Sequence, residues 1–280
     1  MSGSARIEER IGTVHKLSTV ISAMRGIAAA RVAEAHAHLD SVRAYAGTIG
    51  AGIGTVLGTT GDGGGPSHVR EGRAVAVLIA AEQGFAGSFN DKVFEAAAPL
   101  LSTPHDLVVI GERAILAAQD RGLAPTWCDG MIAHPAQATH LANRIGTVLF
   151  DRLAHGGARR VWIVHALPGP THAVSIEARP LIPFDYARFP IPENARPPRL
   201  TLPADMVLAR LVEDYIFAEL TEAILLSFAA ENEARMRAMI AAHDNVMDSL
   251  QDLVATARRM RQDEITEEIV ELASGSLLAR

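Results

Sequence analysis

The sequence predicts an α/β protein: a long antiparallel coiled coil of N- and C-terminal helices, with an α/β domain inserted between them. Three observations predict it. No proline or glycine occurs between Pro203 and Gly275, and about 70 residues of unbroken helical text far exceed an ordinary globular helix. Residues 4–57 place apolar side chains three and four apart, the spacing of a helix stripe that packs on another helix. Between these zones, short β-rich apolar runs alternate with helical segments, which is the pattern of a largely parallel sheet.

The N-terminal stripe runs through Ile7, Ile11, Val14, Leu17, Ile21, Met24, Ala28, Val32, Ala35 and Leu39. It predicts a coiled-coil helix over 1–57; Gly12 and Gly26 weaken it without ending it. "GTTGDGGGPSHVREG" (58–72) breaks all periodicity and reads as a flexible loop.

The predicted α/β domain spans 73–202. "AVAVLIAA" (74–81), "DLVVIG" (106–111) and "RVWIVHA" (160–166) read as buried strands. Helical segments lie near 90–101, 112–121 and 136–155, so the layer is Rossmann-like. "HAVSIEARPLIPF" (172–184) predicts one more strand, shortened by Pro180, and "FPIPENARPPRLTLP" (189–203) a proline-rich linker. In the C-terminal zone, 204–280, Met236, Ile240, His243, Met247, Leu250, Val254, Ala257 and Arg261 alternate steps of four and three, a heptad seam that pairs with 1–57. A rod of 70 residues reaches roughly 105 Å. The N-terminal partner is shorter, so the far end of the C-terminal helix should project alone or enter another protein.

Composition removes several classes. The net charge is −6 with no basic excess, so nucleic acid is not an expected partner. The single cysteine, Cys128, excludes an internal disulfide and fits a reducing compartment. The N-terminus lacks the apolar core of a signal peptide. No apolar stretch reaches the ~18 residues of a membrane helix, so action at a membrane is expected from outside the bilayer.

Catalytic signals are weak. "EQGFAGSFN" (82–90) follows a strand and precedes a helix, as a phosphate-cradling loop does. Gly84 to Gly87 is too short for either standard fingerprint, and no Gly-Lys-Ser/Thr follows. A tight, closely packed turn is the favoured reading. Ser88 lacks a nucleophile elbow. The eleven histidines show no His-Glu-x-x-His; His36 and His38 point apart on a helix, and His134, His140, His165 and His172 read as structural. Cys128, in "PTWCDG", reads as a free thiol in a loop. No catalytic residue, metal site or cofactor is expected.

Four segments resemble one family, the ATP synthase γ subunits, in order along the whole chain. "AMRGIAAARV" (23–32) is similar to its N-terminal signature through Ala23, Met24, Ala28, Ala29 and Arg31. "EARMRAMIAAHDN" (233–245) keeps Ala234, Arg235, Met236, Ala238, Met239, Ala242, Asp244 and Asn245 of a C-terminal motif. "RQDEITEEIVELASG" (261–275) keeps Arg261, Gln262, Ile265, Thr266, Glu268, Glu271 and Gly275. "AAEQGFAGSFN" (80–90) keeps Gly84, Gly87 and Asn90 of the turn after the first strand. The family's usual lysine is Ser22 here, its cysteine Ala86, its Asp-Arg pair Glu82-Gln83, and its polar segment before Arg-Gln is Arg258-Arg259-Met260. The chain is thus similar to a divergent γ subunit.

The resemblance implies a non-catalytic central rotor shaft. Such a shaft stands in a hexameric ring of α and β subunits with its foot on the membrane c-ring, beside an ε subunit. Ion flow turns it, and it drives the β sites through different nucleotide affinities. The resemblance also implies contacts to β from Arg235, Arg261, Gln262, Thr266 and Glu271, shaft roles for Met24, Ala28, Met236 and Met239, and a place peripheral to the cytoplasmic face of a bacterial inner membrane. "LASGSLLAR" (272–280) is small and weakly charged, as a bearing surface is. By position alone, Met24 is a seam residue, Arg235, Arg261, Glu268 and Glu271 are solvated charges, and Thr266 is a neutral surface residue. Two other functions remain open: a coiled-coil scaffold with an inserted α/β domain, and a nucleotide- or phosphate-binding enzyme built on the sheet, against which the absent phosphate loop argues.

Overall fold

The structure, a computed structural model, describes residues 3–60, 73–155, 158–169, 174–192 and 198–278, the last eight as helical backbone only. The loop expected over 58–72 lies outside the described residues from 61 onward, as does part of the 189–203 linker. Among the described residues, five strands and five α-helices follow in the order α1 (Gly3–Thr60), β1 (Ala74–Ile79), α2 (Phe89–Leu101), β2 (His105–Ile110), α3 (Glu112–Asp120), β3 (Trp127–Asp129), α4 (Ala138–Ala154), β4 (Arg160–Leu167), β5 (Ser175–Ile182) and α5 (Ala204–Leu278). The chain divides into two compact units. One contains Met1–Ile27 and Met236–Arg280; the other contains Ala28–Arg235.

In the larger unit the sheet order is β3-β2-β1-β4-β5. β1, β2, β3 and β4 run parallel, and β5 is antiparallel to β4. β1 is buried along its whole length, which explains its unbroken apolar text: both of its faces are covered. Val75, Val77 and Ile79 face a core shared with Ala35 and Leu39 of α1, Leu141 and Ile145 of α4, and Leu220 and Ile224 of α5. Ala76, Leu78 and Ala80 face Val93 and Phe94 of α2, Ala114 and Ala118 of α3, and Ala230 and Ala234 of α5. α5 therefore contributes to both faces of the sheet.

Two strand expectations need correction. β5 runs through Pro180 to Ile182. An edge strand tolerates the missing N–H, and a register shift beside Val161 and Trp162 accommodates it. Residues 127–129, expected as a loop, form the short edge strand β3, with Cys128 opposite Val109 and exposed. Three residues are too few for an alternation pattern to show.

Within this unit α1 and α5 run antiparallel. Arg43 Nε donates to Glu222 Oε1 at 2.7 Å, and further along α1 Gly50 faces Tyr215. An aromatic group of Phe184, Tyr186, Phe189 and Tyr215 packs edge-to-face and stacked beside them. The backbone after Phe189 crosses α1 so closely that a Cβ on Gly54 would stand 2.3 Å from Pro190 O.

In the smaller unit the N-terminal part of α1 and the C-terminal part of α5 contribute the buried residues Ile21, Met239 and Leu250. Met24 and Met236 are half-buried. The stripes read from sequence are largely the covered ones. Leu17 and Ile240 are exceptions, 49% and 42% exposed, because the seam turns to Ser18 and Met239 beside them, and Arg261, where the seam ends, is exposed too.

Gly54→Ala is expected to destabilise the chain by about 2 kcal/mol, since backbone on both sides must move. Gly47→Ala, with no neighbour within 4 Å, is expected to be neutral or stabilising by up to about 1 kcal/mol. Urea-unfolding midpoints check both.

Candidate functional site

In an open parallel sheet, ligands bind at the carboxyl ends of the strands where the connections diverge. Here that place lies beyond β1 and β4, and α5 fills it. Ser227 Oγ donates to Ile79 O at 2.9 Å. Gly169 N, just after β4, donates to Glu233 Oε2 at 3.1 Å. Glu231 accepts from the N–H groups of Glu82 at 3.2 Å and Gln83 at 3.1 Å. Arg235 completes the clasp. Its guanidinium pairs with Glu231, donates to Asn232 Oδ1 at 2.9 Å, and reaches back to Gly84 O at 3.2 Å and Gln83 O at 3.4 Å. Glu231 and Arg235 are 2% and 5% exposed, and their spacing of four residues puts them one helical turn apart. Burial pushes the Glu231 carboxyl up; Arg235 and the two backbone N–H groups pull against it.

A second carboxylate sits at the start of α3. Glu82 Oε2 accepts from Glu112 N at 3.0 Å, at the start of α3, and from Met131 N at 2.6 Å. A helix N-terminus at the carboxyl end of a strand is where a phosphate would sit, and this chain seats its own side chain there.

The turn that is held this way has a strained tip. Phe85 and Gly87 both have positive φ, 62° and 61°, which glycine adopts freely and phenylalanine does not. Asn90 Oδ1 secures the entry by accepting from Ala81 N at 2.9 Å. The result is a Phe85 side chain 68% exposed on a braced loop. Gly84 has room for a Cβ, with Arg113 no nearer than 3.8 Å. Gly87 and Asn90 thus have backbone reasons, and Gly84 has none of that kind.

The residues expected to touch β subunits divide. Arg261, Gln262 and Thr266 are exposed on α5, with Thr266 Oγ1 donating only to Gln262 O. The Glu271 side chain lies outside the described residues. Arg235 is different: its guanidinium is enclosed by partners of its own chain. Ala28 is buried at 1% exposure and belongs to the larger unit. Glu231 is the residue that sequence reasoning missed, although its spacing from Arg235 was a usable signal. A further missed residue is Glu219, a charge in the apolar run "FAELTEAILL". It is 5% exposed and accepts from Arg179 at 3.0 Å and Arg188 at 2.8 Å.

The bracing ties the turn to α5 and leaves a cavity of about 260 Å³ between the turn and Arg113 and Asp120 of α3, so fold and site define a sheet joined to a long helix. Residues 4–277 match the ATP synthase family model, and the chain belongs to that family. It is similar to the ATP synthase gamma chain of Frankia casuarinae, at 30% identity over 291 residues, covering 99% of this chain and 98% of that one. It is 27% identical over 294 residues to the ATP synthase gamma chain of Amoebophilus asiaticus, with 99% and 98% covered. Among solved structures, the rotor of Euglena gracilis mitochondrial ATP synthase matches with a TM-score of 0.65 at 12% identity, covering 94% of this chain and 98% of that one. The central stalk and c-ring structure of the Tetrahymena thermophila enzyme contains a chain matching at 0.57 and 18% identity, covering 80% and 99%. These two show the shared fold.

Replacing Arg235 by Ala leaves a buried, uncompensated carboxylate and is expected to cost about 3–5 kcal/mol. The sign with pH follows from burial. With the counter-charge gone, desolvation holds the Glu231 carboxyl above its ordinary value, so the folded variant favours the protonated form. Its stability is then greatest in acid and falls as pH rises through that value. Urea unfolding of the variant and the unaltered chain, at acid and neutral pH, should show the gap between them widening toward neutrality.

Proposed function

We propose that this chain is the central rotor shaft of an F-type ATP synthase, passing rotation between an ion-driven c-ring and the nucleotide sites of β subunits. It acts without a catalytic site of its own. In this reading 1–57 and 204–280 form the shaft and 73–202 a body attached to it. The partners are the α and β subunits of a hexameric ring, an ε subunit and the c-ring. The chain sits peripherally on the cytoplasmic face of a bacterial inner membrane. No helix among the described residues is long and apolar enough to cross a membrane.

The observation that carries the reading lies on the smaller unit. Ile265, Ile269 and Val270 are 49%, 61% and 57% exposed near the end of α5, and Val20 and Ile27 are 54% and 56% exposed on α1. Large apolar side chains lined along helices and left in water mark a surface made for other proteins. Arg261, Gln262 and Thr266 share that end of α5 and supply polar groups. Charge-assisted hydrogen bonds of this kind contribute roughly 1.5–3 kcal/mol each, enough to be made and broken in turn. Met24, Met236 and Met239 line the seam behind them, and the turn at Gly84, Gly87 and Asn90 presents Phe85.

Co-expression with the α and β subunits of the same genome, followed by purification through a tag on β, tests this. The chain is expected to co-purify at one copy per three β in a complex that hydrolyses Mg-ATP. A chain ending before Arg261 is expected to assemble with reduced rate or coupling. Failure of the full chain to enter the ring would favour a coiled-coil scaffold instead.

A further inference from the structure

The amino-terminal edge of the parallel sheet gathers positive charge. Arg73 leads into β1, and Arg159 and Arg160 open β4 beside it. Arg159 N donates to Arg73 O at 3.0 Å, and Ala74 of β1 pairs with His105 of β2 on one side and with Arg160 on the other. Arg152, in the last turn of α4, joins them through a shared carboxylate. Asp106 Oδ1 lies 3.3 Å from Arg73 Nη2, and its Oδ2 lies 3.4 Å from Arg152 Nη1. Two guanidiniums thus divide one negative charge. The neighbouring acid on α4, Asp151, faces His155 at 3.2 Å. Arg159 and Arg160 are exposed and have no ion pair among the described residues. In a chain of net charge −6, this edge is a local basic field.

Charge is what the edge offers. Among the described residues, no large exposed apolar side chain lies in 73–74, 103–106 or 152–160; Phe150, earlier on α4, lines a groove between α4 and α5 instead. A protein interface is built around a desolvated core with aromatic anchors. A layer of anionic headgroups needs only accessible cations, each contributing about 1 kcal/mol near the surface. Position points the same way. α5 meets the carboxyl ends of the strands at Ser227 and Glu231 and grips Arg179 of β5 at Glu219, so the amino ends lie toward its start, away from Arg235. In the shaft reading the far end of α5 enters the ring of α and β subunits, which turns this edge toward the membrane.

We propose that Arg159 and Arg160, with Arg73 and Arg152 beside them, form a contact for anionic phospholipid headgroups of the membrane around the c-ring. The direction of the patch rests on the shaft reading; its chemistry rests on the edge alone. Headgroups move with a fluid leaflet, and a few arginines hold them weakly. The contact therefore keeps the α/β body at the surface without fixing its angle, as a turning part requires.

The full-length chain is mixed with sucrose-loaded vesicles and sedimented. Vesicles with about 30% phosphatidylglycerol in phosphatidylcholine are expected to bind it at least about twentyfold more tightly than pure phosphatidylcholine, and the difference is expected to shrink as salt is raised. Pure phosphatidylcholine reports any binding through the exposed apolar side chains. Arg159→Gln together with Arg160→Gln is expected to weaken binding to the anionic vesicles about twentyfold, from about fivefold for each arginine, with the urea-unfolding midpoint unchanged. Arg159→Lys together with Arg160→Lys is expected to bind like the unaltered chain, because headgroups here read charge and not the guanidinium fork. Equal binding to both kinds of vesicle, or anionic-vesicle binding that survives the glutamine pair, would overturn the proposal and leave the edge to an acidic protein. The vesicles need no α or β subunit, so the two readings fail separately. A chain that enters the ring but ignores anionic vesicles loses only the lipid contact; one that binds them through this edge but never enters the ring loses only the shaft role.

Discussion

A buried carboxylate, Glu231, joins the long C-terminal helix to the turn after the first strand, and the functional arrangement of the larger unit depends on it. Its two oxygens take backbone N–H groups of Glu82 and Gln83 as well as the guanidinium of Arg235. That saturation is what makes an ionised group tolerable in so dry a place. The same contacts fix the path of the turn whose tip holds Phe85 at an unfavourable φ, and they seat α5 where a sheet of this kind otherwise binds a ligand. One interaction thus braces the sheet, the turn and the helix together.

A rotor has different requirements from an enzyme. Its helix must not slip relative to its body, and its working surface must make contacts that differ from one angular position to the next. The larger unit meets the first requirement at two levels of α5: the Glu231–Arg235 clasp, and Glu219 between Arg179 and Arg188. Both join buried charge on the helix to the sheet or the segment beyond it, so sliding would strand charges in an apolar interior. In the proposed function, the exposed apolar and polar side chains on the helices of the smaller unit would meet the second.

Helices were legible in the sequence by their period, and central strands by their unbroken apolar runs. The uninterrupted text after Pro203 gives α5, and the apolar runs of β1, β2 and β4 stand out because both sheet faces are covered. β3 was not legible: Trp127–Asp129 is too short for alternation and owes its state to pairing with Val108–Ile110. Nor was the course of β5, since whether Pro180 ends a strand depends on its lying at an edge. At the site, the family motifs point to Arg235, and only the structure turns it inward, since a helical charge reads alike whether it faces water or a loop about 150 residues away. Glu82 illustrates the same limit: its partners, the N–H groups of Glu112 and Met131, are brought to it by topology alone.

The most direct test of the central claim uses the one cysteine of the chain, Cys128, which is exposed on β3. A visible probe is attached there, the assembled complex is fixed to a surface through its β subunits, and single molecules are watched with Mg-ATP. The account predicts rotation of the probe in one direction that starts with ATP and stops without it. A probe that stays at one angle while the same complexes hydrolyse ATP would contradict it.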